Sequence, residues 1–163
     1  MSDVDTMTEV EVLQATEQIR LLEARYARFA DEKRWADLAG LFTPDGTFTS
    51  QNVGGENVAA MAGRQEIADH LDAVTAGDVT PIHMLTTSEI EILSPTRAHA
   101  VWAMADLIFR NEDPPADPAA SGGVPPFRTM RGWGHYHVDY VKADGGWLIS
   151  ERLQTRTRLE FAA

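Results

Sequence analysis

His83–Leu93 (HMLTTSEIEIL) and His99–Arg110 (HAVWAMADLIFR), joined across Ser94-Pro95, decide the fold class of this chain. Both runs are rich in β-branched and aromatic residues and bounded by turn chemistry, the signature of strands. Two segments of the same character follow, Arg128–Lys142 and Trp147–Glu160, separated by Ala143-Asp144-Gly145-Gly146. Four consecutive strands with no helix between them predict an antiparallel meander. With helices upstream, the class is α+β, the helices packed on one face of the sheet.

Upstream the period changes. Val12, Ala15, Ile19, Leu22, Tyr26 and Phe29 recur at spacings of three and four, which predicts an amphipathic helix over 8–30. Thr8 with Glu11 fits a capping box at its start. After Asp31-Glu32-Lys33-Arg34 a short second helix is expected on Trp35, Leu38, Ala39, Leu41 and Phe42, closed by a Thr43-Pro44-Asp45-Gly46 turn. Thr47-Phe48-Thr49 reads as a strand and 51–55 as a loop. A third helix carries Ile67 and Leu71 on one face and ends near Ala76-Gly77-Asp78. Between Asn111 and Phe127 lie five of the chain's eight prolines with Ser121-Gly122-Gly123, read as a mobile loop between two strands of one sheet. The chain is therefore taken as a single domain over 1–163, with 1–7 flexible.

The 163 residues suit one hydrophobic core, and 44% apolar with 24% charged residues fits a globular domain rather than a disordered one. Lys and Arg total 14 against 25 Asp and Glu, a formal charge of −11. Phosphate neutralisation needs clustered basic side chains, so nucleic acid is not the expected partner. The absence of Cys removes disulfides, thiolate ligands and cysteine nucleophiles. The start of the chain is acidic with no apolar run after it, and no stretch is long enough to span a bilayer, so a soluble cytoplasmic protein is the expectation and no membrane is involved.

Chemistry then falls to His, Asp and Tyr in apolar contexts. Tyr26 lies on the buried stripe of the first helix, where its hydroxyl needs a partner, whether as a core tyrosine or as a donor to a ligand. Asp31 sits where that helix stops, and can either cap the next helix or act in a site. His83 opens the first meander strand, as a structural histidine or as the best available general base near neutrality. Asp106 interrupts an apolar strand and by alternation shares a face with Trp102, Met104 and Ile108. A carboxylate there must be paired, hydrogen-bonded or protonated. His135 and His137 flank Tyr136 and share a face with Trp133, with no third metal ligand evident, so no metal is expected. Arg152, Arg156 and Arg158 alternate and are read as an ionic surface, with Arg152 nearest the sheet centre and within reach of a pocket.

These pieces resemble one family in order and spacing. Tyr26-Ala27-Arg28-Phe29-Ala30-Asp31, Trp35-Ala36-Asp37-Leu38 through Asp45-Gly46, Gly63-Arg64-Gln65-Glu66-Ile67, Ile82-His83, and Gly134-His135-Tyr136 followed by Asp144-Gly145-Gly146-Trp147 resemble the SnoaL-like branch of the nuclear transport factor 2-like superfamily over about 8–155. The resemblance implies a cone-shaped α+β barrel, in which N-terminal helices pack inside a curved antiparallel sheet around an apolar pocket. It leans toward scytalone dehydratase and bile acid 7α-dehydratase, in which an Asp after the first helix pairs with a His at the meander start. Asp31 and His83 hold the matching positions, Tyr26 matches the dehydratase tyrosine, and Asp106 an acidic pocket residue of the bile acid enzyme. The dehydrochlorinases of the superfamily carry Lys where this chain has Tyr26.

The resemblance thus implies a cofactor-independent lyase or isomerase of dehydratase type, working on a small hydrophobic ring compound such as a polyketide, steroid or terpenoid. His83 is the expected base, Asp31 its orienter, and Tyr26 and Asp106 polar contacts. Phe29, Trp102, Met104, Trp133, His135 and Arg152 are the expected substrate-binding residues. A homo-oligomer is implied, a trimer before a dimer. The alternatives are a non-catalytic binding or assembly subunit, like the small subunit of ring-hydroxylating dioxygenases, and an epoxide hydrolase or cyclase with Arg152 or Arg131 between Asp31 and Asp106.

Overall fold

The computed structural model describes residues 7–112, 126–144 and 146–163. The loop expected at 111–127 and the flexible start lie mostly outside them. Helix α1 spans Glu9–Asp31, and the capping box forms as expected: Thr8 Oγ1 accepts from Glu11 N–H while Glu11 Oε2 accepts from Thr8 N–H at 2.8 Å. Its far end is a Schellman motif. Arg34 N–H bonds Phe29 O at 2.8 Å, Lys33 N–H bonds Ala30 O at 3.1 Å, and Lys33 takes the left-handed conformation at φ 53°. That cap fixes Asp31 as the last helical residue, free to use its side chain elsewhere. Helix α2 (Trp35–Ala39) begins at Arg34 without a side-chain cap, so Asp31 does not cap it.

Among the described residues six strands form one curved, unclosed sheet in the order β2-β1-β6-β5-β4-β3. β3 (Val79–Ser94), β4 (Arg97–Arg110), β5 (Thr129–Ala143) and β6 (Gly146–Ala162) are the expected meander, with β3, β4 and β6 longer than the sequence indicated. β1 (Phe42–Gln51) runs through the Thr43-Pro44-Asp45-Gly46 segment, which is a register irregularity within the strand rather than its boundary. β1 pairs parallel with β6, so the sheet is mixed, not wholly antiparallel. β2 (Asn57–Ala62) was not anticipated: its run of alanines carries little strand preference, and pairing with β1 imposes the conformation. Helix α3 (Arg64–Val74) follows the Gly63 N-cap and buries Ile67.

The core lies between α1 and the inner face of the sheet. Ile19, Leu22, Tyr26 and Ala30 from α1 meet Trp102 and Met104 of β4, Tyr136, Val138 and Tyr140 of β5, and Ile149 of β6. Burying side chains such as Ile19 and Leu38, both fully sequestered, contributes about 1.5–3 kcal/mol each. No helix among the described residues is long and apolar enough to cross a membrane.

Candidate active site

Two elements meet at the end of α1. The Asp31 carboxylate Oδ1 accepts from the backbone N–H of His83 at 2.7 Å and lies 3.0 Å from His83 Nδ1. The first contact pins the carboxylate to the strand, and the second orients the ring. The His83 side chain is 14% exposed and Asp31 36%, so the pair reaches solvent from the rim of the sheet. Among the described residues Nε2 of His83 has no hydrogen-bond partner.

Across the ladder His83 is register partner to Asp106, placing both on the inner face. Asp106 is the buried carboxylate the sequence flagged, and it is paired. Arg156 Nη1 and Nη2 donate to its two oxygens at 2.6 and 2.7 Å, a bidentate fork. Burial presses the Arg156 guanidinium down, but the Asp106 hydrogen bonds and charge outweigh it and the net shift is up. Gly132, the next register partner along the sheet, makes room for this pair: a Cβ there would fall on Asp106 Oδ1 and Arg156 Nη1. Met104 places its sulfur 3.8 Å from Arg156 Nη1.

Behind this lies a sealed polar group. Arg152 and Glu23 are both fully buried, with Arg152 Nη2 2.6 Å from each Glu23 oxygen. The Arg152 guanidinium stands 3.6 Å from the Tyr26 ring centroid and 4.5 Å from that of Tyr136. Tyr140 OH donates to Glu23 at 2.7 Å and accepts from the Trp102 indole at 2.9 Å. Desolvation pushes the Tyr26 phenol up to about 12, so it remains a proton donor throughout the neutral range. Burial opposes the Arg152 charge, yet Glu23 outweighs it and raises the guanidinium.

The three arginines therefore do not form one ionic surface. A register shift between Trp133/Gly134 and Arg158/Arg156 inserts Thr157, which keeps Arg152 and Arg156 inside and turns Arg158 outward onto Glu160. Arg152 lies wholly within the core, and neither it nor Arg131 stands between Asp31 and Asp106, the arrangement the epoxide-hydrolase alternative requires. Trp133 and His135 point to the outer face, because Tyr136 takes the inward position and its strand neighbours alternate away from it. They do not line the interior. Phe29 lies under the Arg28 and Arg34 guanidinia, 4.8 and 4.5 Å from its centroid. Trp102 and Met104 do face inward and are buried.

Among the described residues, Tyr26, Tyr136, Tyr140 and Arg152 occupy the inner space expected as a pocket. A surface depression lined by Pro44, Gly63, Arg64, Glu66 and His70 lies beside α3, away from the His83 pair, and brings no comparable set of titratable contacts. The His–Asp geometry defines the site for that reason. Sequence reasoning missed Glu23, although an acid at the fourth place after Ile19 and the third before Tyr26 sits on the buried stripe. It also missed Arg156 as the partner of Asp106.

A curved, unclosed sheet wrapped on N-terminal helices is the nuclear transport factor 2-like fold, and here a His–Asp pair sits where the first helix meets the meander. The chain belongs to the SnoaL-like domain family, which matches residues 11–153. Its fold is similar to that of a candidate scytalone dehydratase from Novosphingobium aromaticivorans, at 18% identity and TM-score 0.77, covering 96% of this chain and 93% of that one. A type 2 hexachlorocyclohexane dehydrochlorinase shares 16% identity at TM-score 0.75, covering 96% and 94%. The β subunit of a candidate aromatic-ring-hydroxylating dioxygenase from N. aromaticivorans shares 16% at TM-score 0.70, covering 94% and 95%.

Proposed function

We propose that the protein is a cofactor-independent lyase or isomerase of dehydratase type, acting on a small hydrophobic ring compound. The observation that carries this reading is the 3.0 Å contact of Asp31 with His83 Nδ1. An imidazole whose Nδ1–H is held by a carboxylate presents Nε2 as a base, and the carboxylate stabilises the imidazolium that forms. Nε2 takes the proton α to a carbonyl, the electron pair moves into the enolate, and expulsion of a β-hydroxyl, protonated as it leaves, yields the unsaturated product and water. Without a leaving group, return of the same proton at another carbon completes an isomerisation. The Asp106–Arg156 pair, across the ladder from His83, supplies the polar contact on its inner side.

The test is solvent deuterium wash-in at the α-carbon of cyclic ketones, followed by mass spectrometry. Wild type is expected to accelerate exchange, and His83→Ala and Asp31→Asn to lose that acceleration. Full exchange in both variants overturns the reading. A filled interior and the likeness to a dioxygenase β subunit favour a second reading, a non-catalytic assembly subunit, for which wild type itself gives no exchange with any ketone. The family resemblance supports a homo-oligomer in either case.

A further inference from the structure

The inner face of the sheet continues past the His83–Asp106 row, away from the sealed tyrosines. Tyr136 pairs with Trp102, four residues before Asp106 along β4, and the strand runs on to Arg110 in the other direction. Two positions beyond Asp106, Pro81, Ile108, Met130 and Phe161 are register partners in turn across β3, β4, β5 and β6. Direct partners share a face, and Ile108 stands two residues from Asp106, so this apolar row faces inward with the site. Pro81 is buried, but Ile108 and Met130 are half-buried and Phe161 is 38% exposed. The Phe161 ring lies 5.4 Å from that of the buried Phe127. Two positions further, Arg110 lies on the same face opposite Val79, its guanidinium 4.8 Å from the Phe127 ring centroid.

We propose that this strip seats the part of the substrate remote from the reacting carbon and that Arg110 binds a carboxylate there. The substrate class is then a ring compound that carries a carboxylate about one further ring away from its carbonyl. Placing the reacting carbon at His83 rests on the base role proposed above, whereas the seat rests on the strip and on Arg110. Arg110 forms no ion pair among the described residues. Asp78, beside Val79, accepts from the Asn111 side chain at 3.0 Å, and Glu112 turns its carboxylate toward Gly77. Arg156, the other guanidinium on this part of the face, has both Nη groups on Asp106. A guanidinium stacked on an aromatic face keeps its N–H edge for a planar acceptor, and a carboxylate matches that fork. Four residues at about 3.4 Å set Arg110 roughly 14 Å along the ladder from the His83 row. The arginine side chain and a two-ring acid share that span between them. The chain carries −11 overall, so its general field repels an acid, and any preference for the acid over a neutral ester reads the local guanidinium.

The probe is a cyclohexanone bearing a para-carboxyphenyl group at the carbon opposite its carbonyl, compared with its methyl ester. The two share one shape and differ in charge. Ligand-observed NMR titration reads both affinities, and wild type is expected to bind the acid at least about tenfold more tightly. Arg110→Gln is expected to bring the two within about threefold while the ester affinity holds, and Arg110→Lys, which keeps the charge without the fork, to retain part of the preference. Phe161→Ala is expected to weaken acid and ester alike, and circular dichroism confirms that each variant is folded. No binding of either probe, equal affinities in wild type, an acid preference that survives Arg110→Gln, or affinities unmoved by Phe161→Ala overturns the proposal. Deuterium wash-in at the α-carbon is followed in the same samples. Acid preference without wash-in removes the His83 chemistry and leaves the seat; wash-in without acid preference removes the seat and leaves the chemistry.

Discussion

His83 and Asp106 stand opposite each other on β3 and β4, and each is held by a residue from another element: Asp31 of α1 grips the imidazole, and Arg156 of β6 grips the carboxylate. An imidazole between two carboxylates would be driven toward its charged form, where it is no base. The bidentate Arg156 neutralises Asp106, and Asp31 is the carboxylate in contact with the ring.

Arg156→Met tests that division of labour. It strands Asp106, which has 5% of its side chain exposed, and breaking such a pair costs about 3–5 kcal/mol. Urea unfolding reads this loss. Asp106→Asn/Arg156→Met, which removes both charges, is expected to recover most of that loss, and a single variant that unfolds at the wild-type urea concentration would show that the pair carries no such stability.

Asp31→Asn keeps the shape of the contact to the His83 backbone N–H but removes the negative charge. The expected result is a fall in turnover of about 10²- to 10⁴-fold with little loss of stability. A fall of less than threefold, measured on the same exchange reaction, removes Asp31 from the proposed machinery.

Gly132→Ala asks whether the cradle matters. The added methyl lands on the Asp106–Arg156 fork, which must part or shift. The variant is expected to unfold at lower urea by about 1–3 kcal/mol, the usual cost of overpacking. Gly146→Ala, with open space around its Cβ position, is the matched control.

Local sequence showed the helices and the meander, because each rests on signals carried within a few residues: the Thr8–Glu11 box, the three-and-four spacing of α1, and the β-branched runs after Pro81; the His83–Asp31 pairing, 52 residues apart, was implied only by the family resemblance. What it did not show depends on register. The inward or outward fate of Arg158 turns on one inserted residue, Thr157, opposite Trp133/Gly134, and a shift of one residue exchanges the faces. Trp133 and His135 were assigned to a pocket for the same reason: alternation fixes that they share a face, not which face it is. β2 stayed hidden because its alanines take their conformation from β1. Glu23 was legible in principle, since its helical position is buried whichever strand it meets, but its partner Arg152 is distant in sequence.

The tyrosines carry the last test. The chain has three, Tyr26, Tyr136 and Tyr140, and all are buried in the group around Arg152 and Glu23. Desolvation lifts Tyr26 to about 12 and holds Tyr136 and Tyr140 well above the ordinary phenol value. An unfolded tyrosine ionises near pH 10, about two units lower. Because the folded value is the higher one, the folded chain retains protons that the unfolded chain releases. The associated stability is complete below about pH 10 and is lost as pH rises toward about 12. For Tyr26 alone the two-unit difference amounts to roughly 3 kcal/mol, an order-of-magnitude figure. Tyrosinate absorbance is therefore expected to stay flat through pH 10 and then rise in one cooperative step coincident with loss of the circular dichroism signal. Tyr26→Phe is expected to shift that step to higher pH, since one ionisation no longer pulls on the unfolded state. A gradual rise centred near pH 10 in a chain that remains folded would show that solvent reaches a phenol, and the sealed core described for Tyr26 and Arg152 would then be wrong.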